Sequence, residues 1–474
     1  MIPALAFLAC LGLILWLVIR DVKSHPKVSA ALWIPLIWAF VIGSRPVSDW
    51  VGYNSAVEDA SAYDRGNPLE RQFYLGLMGA GLVVLWRRRV SLGAVIRDNR
   101  WLFALYMFWA LSVLWSDAPF IAFKRWSKDL GNVLVVLIIL TEDDPVEAAR
   151  NVFVKCAYML VPLSLLFIRY IPELGRTYDV EGNVMFVGVC PSKNTLGCLL
   201  LVSILFFLWD LVNELQKETG SRNRGSICVC IFMLAMMVWI LRIADCATAL
   251  SCTLLGTGIL IGLRLAFVKR HLRLMEFYLV AGATAFLVLN SLVDLRGMLF
   301  RSLGRNETLT GRTDLWALLL SHQPNVLLGA GFNSFWSGES LREIWKTIPG
   351  VVQAHNGYLD TYLNGGILGV GFLLVWLWSV SRRIKRSVIE GASFADMRMA
   401  FLCIALFYDW TEAAFNKNDL LWLVLLLVAI ERPGGYKGTT ETPVEIPASA
   451  IEEEDAVGGF AGSTRNPSVA GAWK

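Results

Sequence analysis

What most constrains this chain is the recurrence, from end to end, of apolar runs such as "ALAFLACLGLILWLVI" (4–19), "VLVVLIIL" (133–140) and "FLLVWLWSV" (372–380). A helix needs roughly 20 residues to cross about 30 Å of hydrocarbon. Its 474 residues would otherwise imply two or three soluble domains. A 56% hydrophobic and 17% charged composition with mean hydropathy +0.54 rules that out. The expectation is an all-α fold, a polytopic membrane helix bundle filling residues 1–431, within the lipid bilayer. Apolar windows predict thirteen spans, near 2–19, 28–44, 72–86, 101–115, 130–140, 152–168, 194–212, 226–241, 249–263, 274–293, 357–380, 399–408 and 419–431. The windows at 130–140 and 399–408 are the shortest, so the bundle is expected to hold 12–13 transmembrane helices. Residues 1–19 lack a basic stretch before the apolar run and a small-x-small site after it, so they are read as a retained span. A net charge of +4, with no basic stripe outside short loops, excludes nucleic acid as a partner.

Lysine and arginine sort the connections into two sets. Loops 20–27, 86–100, 141–151, 213–225, 264–273 and 381–398 hold 21 Lys/Arg in 75 residues, whereas the alternate segments hold 17 in 144. Basic loops stay in the cytoplasm. Every long polar segment therefore falls on the other side, the largest being a periplasmic loop of about 295–356 with its own helix-like run "TDLWALLLSHQP". The tail 432–474 is rich in Pro, Gly, Ser and Thr, carries "EEED" (452–455), and is expected to be a disordered cytoplasmic appendage. No internal repeat of the transporter kind is legible.

Most of the nine cysteines lie in apolar runs, with no CxxC pair and no metal-ligand spacing, so they are read as packing residues and no metal is expected. Only Cys190 and Cys246 are expected to reach an aqueous face. "GAGF" (329–332) lacks the setting of a dinucleotide loop and reads as a turn. "NGGILG" (364–369) reads as small residues for close helix packing.

Three external stretches gather unusual polar residues. "RYIPELGRTYDVEGNVMFVGVCPSKNTLG" (169–197) carries Arg176, Lys193 and Asn194, "LGRNETLTGRTDLW" (303–316) carries Arg305 and Arg312, and "QAHNGYLDTYLNGGILG" (353–369) carries His355, Asn356 and Asp360. A fourth, "SDAPFIAFKRWSKD" (116–129), sets Arg125 at an outer membrane boundary. A guanidinium offers five donors in a fixed fork that matches phosphate oxygens, so converging arginines suit a lipid-linked phosphate or pyrophosphate. Taken singly, each is an ordinary loop arginine. Histidine is the side chain whose ordinary chemistry lets it trade a proton near neutral pH, which makes His355 the candidate base. Asn356 and Asp360, beside it and one turn on, are placed to orient the ring.

Together, "GR-x-x-TLTGR-T-x-x-W", "P-x-x-x-LGAGF-x-SFW" and "AHNGYLD-x-x-L-x-x-GILG", with "GSRPVSDW" (43–50) and "PSKNTLG" (191–197), resemble the O-antigen ligase and O-antigen polymerase family, in particular its alpha-proteobacterial exopolysaccharide polymerase branch. The resemblance implies a bacterial inner-membrane enzyme with a periplasmic active site. Such an enzyme passes a glycan from undecaprenyl pyrophosphate to an acceptor sugar hydroxyl, without a metal or other cofactor. The family's essential histidine would fall on His355 and its arginine on Arg312, with phosphate-binding roles for Arg176 and Arg125. Its working partners would include a flippase and a chain-length regulator. One departure is "ADCATAL" (244–250), where Ala247 stands at the place of a family arginine; either this branch does without it or Arg242 serves instead. Two alternatives stand beside a polymerase: a ligase attaching glycan to lipid A core, and a flippase for lipid-linked saccharide.

Overall fold

The computed structural model describes residues 2–24, 28–52, 60–179, 182–265, 268, 312–322 and 325–433, all within one compact unit, Met1–Lys437. The window at 274–293, residues 295–311 of the segment 295–356 with Arg305 among them, and all but the first residues of the tail 432–474 lie outside the described residues. The fold is an all-α polytopic membrane bundle. Each of the other twelve windows holds a helix. In chain order these are α1 (Ile2–Ser24), α2 (Trp33–Ile42), α3 (Pro68–Arg87), α4 (Arg100–Ser112), α5 (Pro119–Leu140), α6 (Pro145–Tyr170), α7 (Lys193–Gln216), α8 (Arg224–Ala244) and α9 (Ala247–Gly262). After the undescribed stretch come α10 (Arg312–Ser321) and α11 (Gly338–Thr347), then α12 (Gly357–Ile389), α13 (Ala395–Thr411) and α14 (Leu420–Ala429). Among the described residues, five helices are long and apolar enough to cross a membrane.

Short-range chemistry starts many of them. Asn67 and Asp144 cap α3 and α6 with a proline at the first turn, while Ser192 and Asn356 cap α7 and α12. α14 begins at Leu420, which leaves Asp419 outside the span as its N-cap, accepting from Trp422 N at 2.9 Å. All ten residues of α14 are buried, so it forms the axis of the bundle. Trp422 stacks edge-on to Trp376 of α12 at 5.5 Å.

The window at 130–140 belongs to a longer helix, because α5 runs back to Pro119 through "FKRWSKD". Partners make that possible. Asp129 accepts from Asn132 and Trp422, and the Lys128 ammonium stands 4.1 Å over the Tyr74 ring. A two-stranded hairpin, β1 (Arg176–Tyr178) with β2 (Val184–Phe186), interrupts the otherwise helical chain.

α12 breaks at Gly366, whose φ of +60° and ψ of −160° suit glycine alone. The turn at 326–331 satisfies the freed backbone groups. Ile367 N and Leu368 N donate to Val326 O and Leu327 O, and Ala330 N and Gly331 N donate to Leu363 O and Asn364 O. Gly329, φ +62°, meets the same strand of backbone, and a Cβ on either glycine would strike the other segment. "GAGF" is thus a turn, as read. "NGGILG" does pack closely, Gly365 and Gly369 lying against Phe108 and Trp109, but its middle glycine also breaks the helix.

The two sets of connections lie at opposite ends of the bundle. At one, Arg20 reaches Ser226, Arg150 reaches Asp21 and Asp210, Arg264 reaches Asp396, and Arg398 reaches Glu431. At the other, α10, α11 and the segment 330–337 form a second apolar cluster around Leu319, Phe335, Trp336 and Leu341, seated on the start of α12.

Candidate functional site

α13 stops at Thr411, and the chain leaves in extended conformation at Glu412 (φ −137°, ψ −179°). The Glu412 side chain, only 5% exposed, gathers three donors. Asn194 Nδ2 donates to Oε1 at 2.9 Å from the first turn of α7, and Arg312 donates to the same oxygen at 3.1 Å from the first residue of α10. His355 Nδ1 lies 3.0 Å from Oε2. The second arm of the Arg312 guanidinium donates to Thr411 O, so its fork spans the end of α13. Gly357 N also donates to Glu412 O at 2.9 Å, which fastens the start of α12 to the same segment.

His355 occupies the left-handed region, φ +50°, one residue before the N-cap of α12. That conformation is uncommon for a residue with a Cβ and costs on the order of 1 kcal/mol. The carboxylate beside Nδ1 fixes that nitrogen as the donor, which leaves Nε2 with its lone pair. The Gln353 amide lies 3.3 Å from Nδ1, its oxygen held by Lys417 Nζ.

Lys417 also pairs with Asp360 at 2.6 Å. Asp360 is buried and accepts from Trp336 Nε1 and Ala354 N, each at 3.0 Å. It therefore holds the segment before His355 in place and does not orient the imidazole; Glu412 does that. Asn356 spends its oxygen on Leu359 N and its amide on Trp410 O, as a helix cap. Lys193, half-buried, precedes Asn194 at the start of α7.

Arg176 and Arg125 bond elsewhere. Arg176 Nε donates to Ile168 O, and its guanidinium lies 5.6 Å from the Phe186 ring centre. Arg125 donates to the Asn333 and Trp336 carbonyls, faces Asp64 at 3.6 Å and covers the Tyr63 ring. Arg242 is exposed at the end of α8. The stretch that lacks the family arginine nonetheless touches the site: Thr248 Oγ1 meets Thr411 Oγ1 at 3.1 Å, and Cys246 Sγ lies 3.6 Å from Asn194 Oδ1.

Two cysteine expectations are corrected. Cys190 and Cys246 are both buried, and Cys228 is the exposed one. The Cys190 thiol donates to Gly43 O where the turn after β2 packs on the end of α2, and Cys246 fills the contact between α7 and α9 over Gly197.

Sequence reasoning passed over Glu412 and Lys417. The available signal was a carboxylate directly after an apolar run in "DWTEAAFNKN" (409–418), since an acid at a span end is costly unless paired. Asp419, in the same connection, lines a cavity next to Glu412. Burial pushes its carboxyl up to about 7, against the Trp422 and Leu421 N–H bonds and the attraction of Lys417.

No family model matches the chain. A curated protein, "Exopolysaccharide production protein ExoQ" of Rhizobium meliloti (strain 1021), is 24% identical over 301 residues. The chain is similar to that protein. The resemblance to the alpha-proteobacterial exopolysaccharide branch is borne out. The match covers 61% of this chain and spans 66% of the relative, just under two thirds of its length.

Proposed function

We propose that this chain is a glycosyltransferase of exopolysaccharide production. It takes an oligosaccharide from undecaprenyl pyrophosphate and joins it to an acceptor sugar hydroxyl, extending a polymer. The observation that carries the reading is the meeting of His355 and Arg312 on Glu412, a base with one free nitrogen beside a guanidinium fork. The similarity to the exopolysaccharide production protein supports the polymer as product, and the lysine and arginine distribution supports a site facing the periplasm of the inner membrane.

In this reading the acceptor hydroxyl attacks the anomeric carbon and its proton passes to His355 Nε2. The bond from the anomeric carbon to the pyrophosphate oxygen breaks, and the electron pair leaves with the pyrophosphate. Glu412 stabilises the imidazolium that forms, as a carboxylate does behind a catalytic histidine. Arg312 exchanges part of its hold on Glu412 and Thr411 for phosphate oxygens, whose charge grows as the bond breaks. One displacement inverts the anomeric centre.

The test uses the full chain purified in detergent, with lipid-linked oligosaccharide extracted from the strain that carries the gene. Longer glycan in the absence of any sealed compartment is expected, and its loss in His355→Ala. A wild-type chain that makes no product there, while moving the same lipid across vesicles, would replace this reading with transport.

A further inference from the structure

Behind Glu412, on the Asn194 side, lies a cavity of about 90 Å³. Gly43 closes it from the end of α2, Ser192 and Asn194 from the start of α7, and Gln353 from the segment before His355. Glu412 and Asp419 close it from the connection between α13 and α14. Its polar lining is two carboxyls, two amides, the hydroxyls of Ser192, Thr195 and Tyr408, and the Cys198 thiol. Among the described residues, no lysine or arginine lines it. Arg312 approaches Glu412 and Lys417 approaches Gln353, yet neither lines the cavity.

That chemistry discriminates. Carboxyl oxygens with no lining cation offer a phosphate no partner, so the cavity does not suit the pyrophosphate of a donor. Acceptor oxygens set among amides suit a ligand rich in hydroxyl donors. A water needs only about 10–15 Å³ of such space, so the cavity has room for several polar atoms, as on the hydroxyl-bearing edge of one sugar ring. One of its walls, Glu412, accepts from His355 Nδ1 and another, Gln353, lies 3.3 Å from that nitrogen, so a ring seated there is next to the imidazole.

We infer that this cavity is the acceptor subsite, in which Asp419, Ser192, Asn194 and Thr195 read the hydroxyls of the terminal acceptor sugar and so set which glycan is extended. The inference rests on the transferase reading and adds its acceptor specificity. A donor sugar is the poorer occupant, because it must stay within one bond of a pyrophosphate held at Arg312.

The experiment measures initial rates with the detergent-purified full chain. Lipid-linked oligosaccharide from the host strain serves as donor, and the same oligosaccharide freed by mild acid as acceptor, each varied in turn. Asp419→Asn keeps an N-cap for α14 while removing the carboxylate. The acceptor KM is expected to rise at least tenfold, equal to about 1.4 kcal/mol, and the donor KM less than twofold. Thr195→Val, which keeps the shape and loses the hydroxyl, is expected to raise the acceptor KM about threefold, the part of a neutral hydrogen bond near 0.7 kcal/mol, and serves if Asp419→Asn does not fold. An acceptor KM unchanged in both variants overturns the subsite, as does a rise confined to the donor KM. If those results come with an inactive His355→Ala, the transferase stands and only the subsite falls. If the wild-type chain transfers nothing, both fall.

Discussion

Replacing Glu412 with glutamine separates the proton chemistry of the site from its architecture. The carboxylate accepts from Asn194 and Arg312 on Oε1 and from His355 on Oε2. A glutamine of the same shape has one oxygen and one NH2. Turned toward Asn194 and Arg312, the NH2 would oppose a donor and a cation, so the oxygen stays there. The NH2 then faces His355, which can meet it only with the Nδ1 lone pair. The ring proton moves to Nε2, the atom that must receive the acceptor's proton. General-base catalysis contributes about 10²–10⁴-fold, and kcat is expected to fall by roughly that much. Stability should change less. Bonds to a charged acceptor give way to weaker neutral ones. The Arg312 and His355 side chains, 20% and 32% exposed, recover some hydration, for a net loss of about 1–3 kcal/mol. Transfer rate and thermal unfolding in detergent report the two effects separately. A Glu412→Gln chain that keeps kcat within about threefold of wild type, well short of one Brønsted decade, would refute the tautomer argument. A chain that unfolds before it slows would make Glu412 a structural residue.

Three further outcomes follow from the coordinates. Gly366→Ala places a Cβ against Leu327 at a backbone angle suited to glycine alone, and is expected to cost about 3 kcal/mol or more. An unchanged unfolding temperature would mean the break in α12 is not fixed. Asp409 Oδ1 accepts from Ala414 N at 2.8 Å and Phe415 N at 2.9 Å inside the protein. Asp409→Ala strands both donors and should lose about 2–6 kcal/mol, with Asp409→Asn losing clearly less, and equal losses would contradict that origin. Asp419, pushed up to about 7 by burial, gives a pH effect. From about pH 4, the ordinary range of the unfolded side chain, to about 7, the folded chain keeps a proton that the unfolded chain has released. Stability therefore falls as pH rises through that window and levels off above it. The difference between wild type and Asp419→Asn in unfolding scans isolates this slope, and no difference would place Asp419 in contact with water.

Hydropathy alone was enough to read the bundle, since an apolar run of span length has few places to go other than a bilayer. It failed where partners mattered. "FKRWSKD" reads as a boundary because a hydropathy window weighs Lys128 and Asp129 as charges and cannot see the Tyr74 ring or the Trp422 and Asn132 donors that receive them. The site was half legible. His355, Arg312 and Asn194 stood out as polar residues at span ends, and they do meet. What joins them, Glu412, is more than fifty residues from His355 in the chain, and no local pattern announces that distance. Arg125 looked like an anion ligand but satisfies the Asn333 and Trp336 carbonyls, because the turn before α11 is short of backbone partners and a guanidinium supplies several at once.

Why these residues gather at helix ends has a physical answer. Inside a bilayer the helix interior satisfies its own backbone, so unpaired N–H and C=O groups occur only where helices begin, stop or break. Arg312 opens α10 and Asn194 lies in the first turn of α7. His355 precedes α12 and Glu412 follows α13. The amino ends of α7 and α12 each contribute a residue to one carboxylate, and each brings the positive end of a helix dipole with it. The same field that favours a carboxylate at this place also favours an arriving anion. A pyrophosphate and Glu412 would then compete for Arg312. On that account Arg312→Ala should weaken binding of lipid-linked pyrophosphate more than Asn194→Ala does, because only the guanidinium can turn from the carboxylate to the phosphate. Equal losses, measured with the uncharged acceptor absent, would place the anion elsewhere.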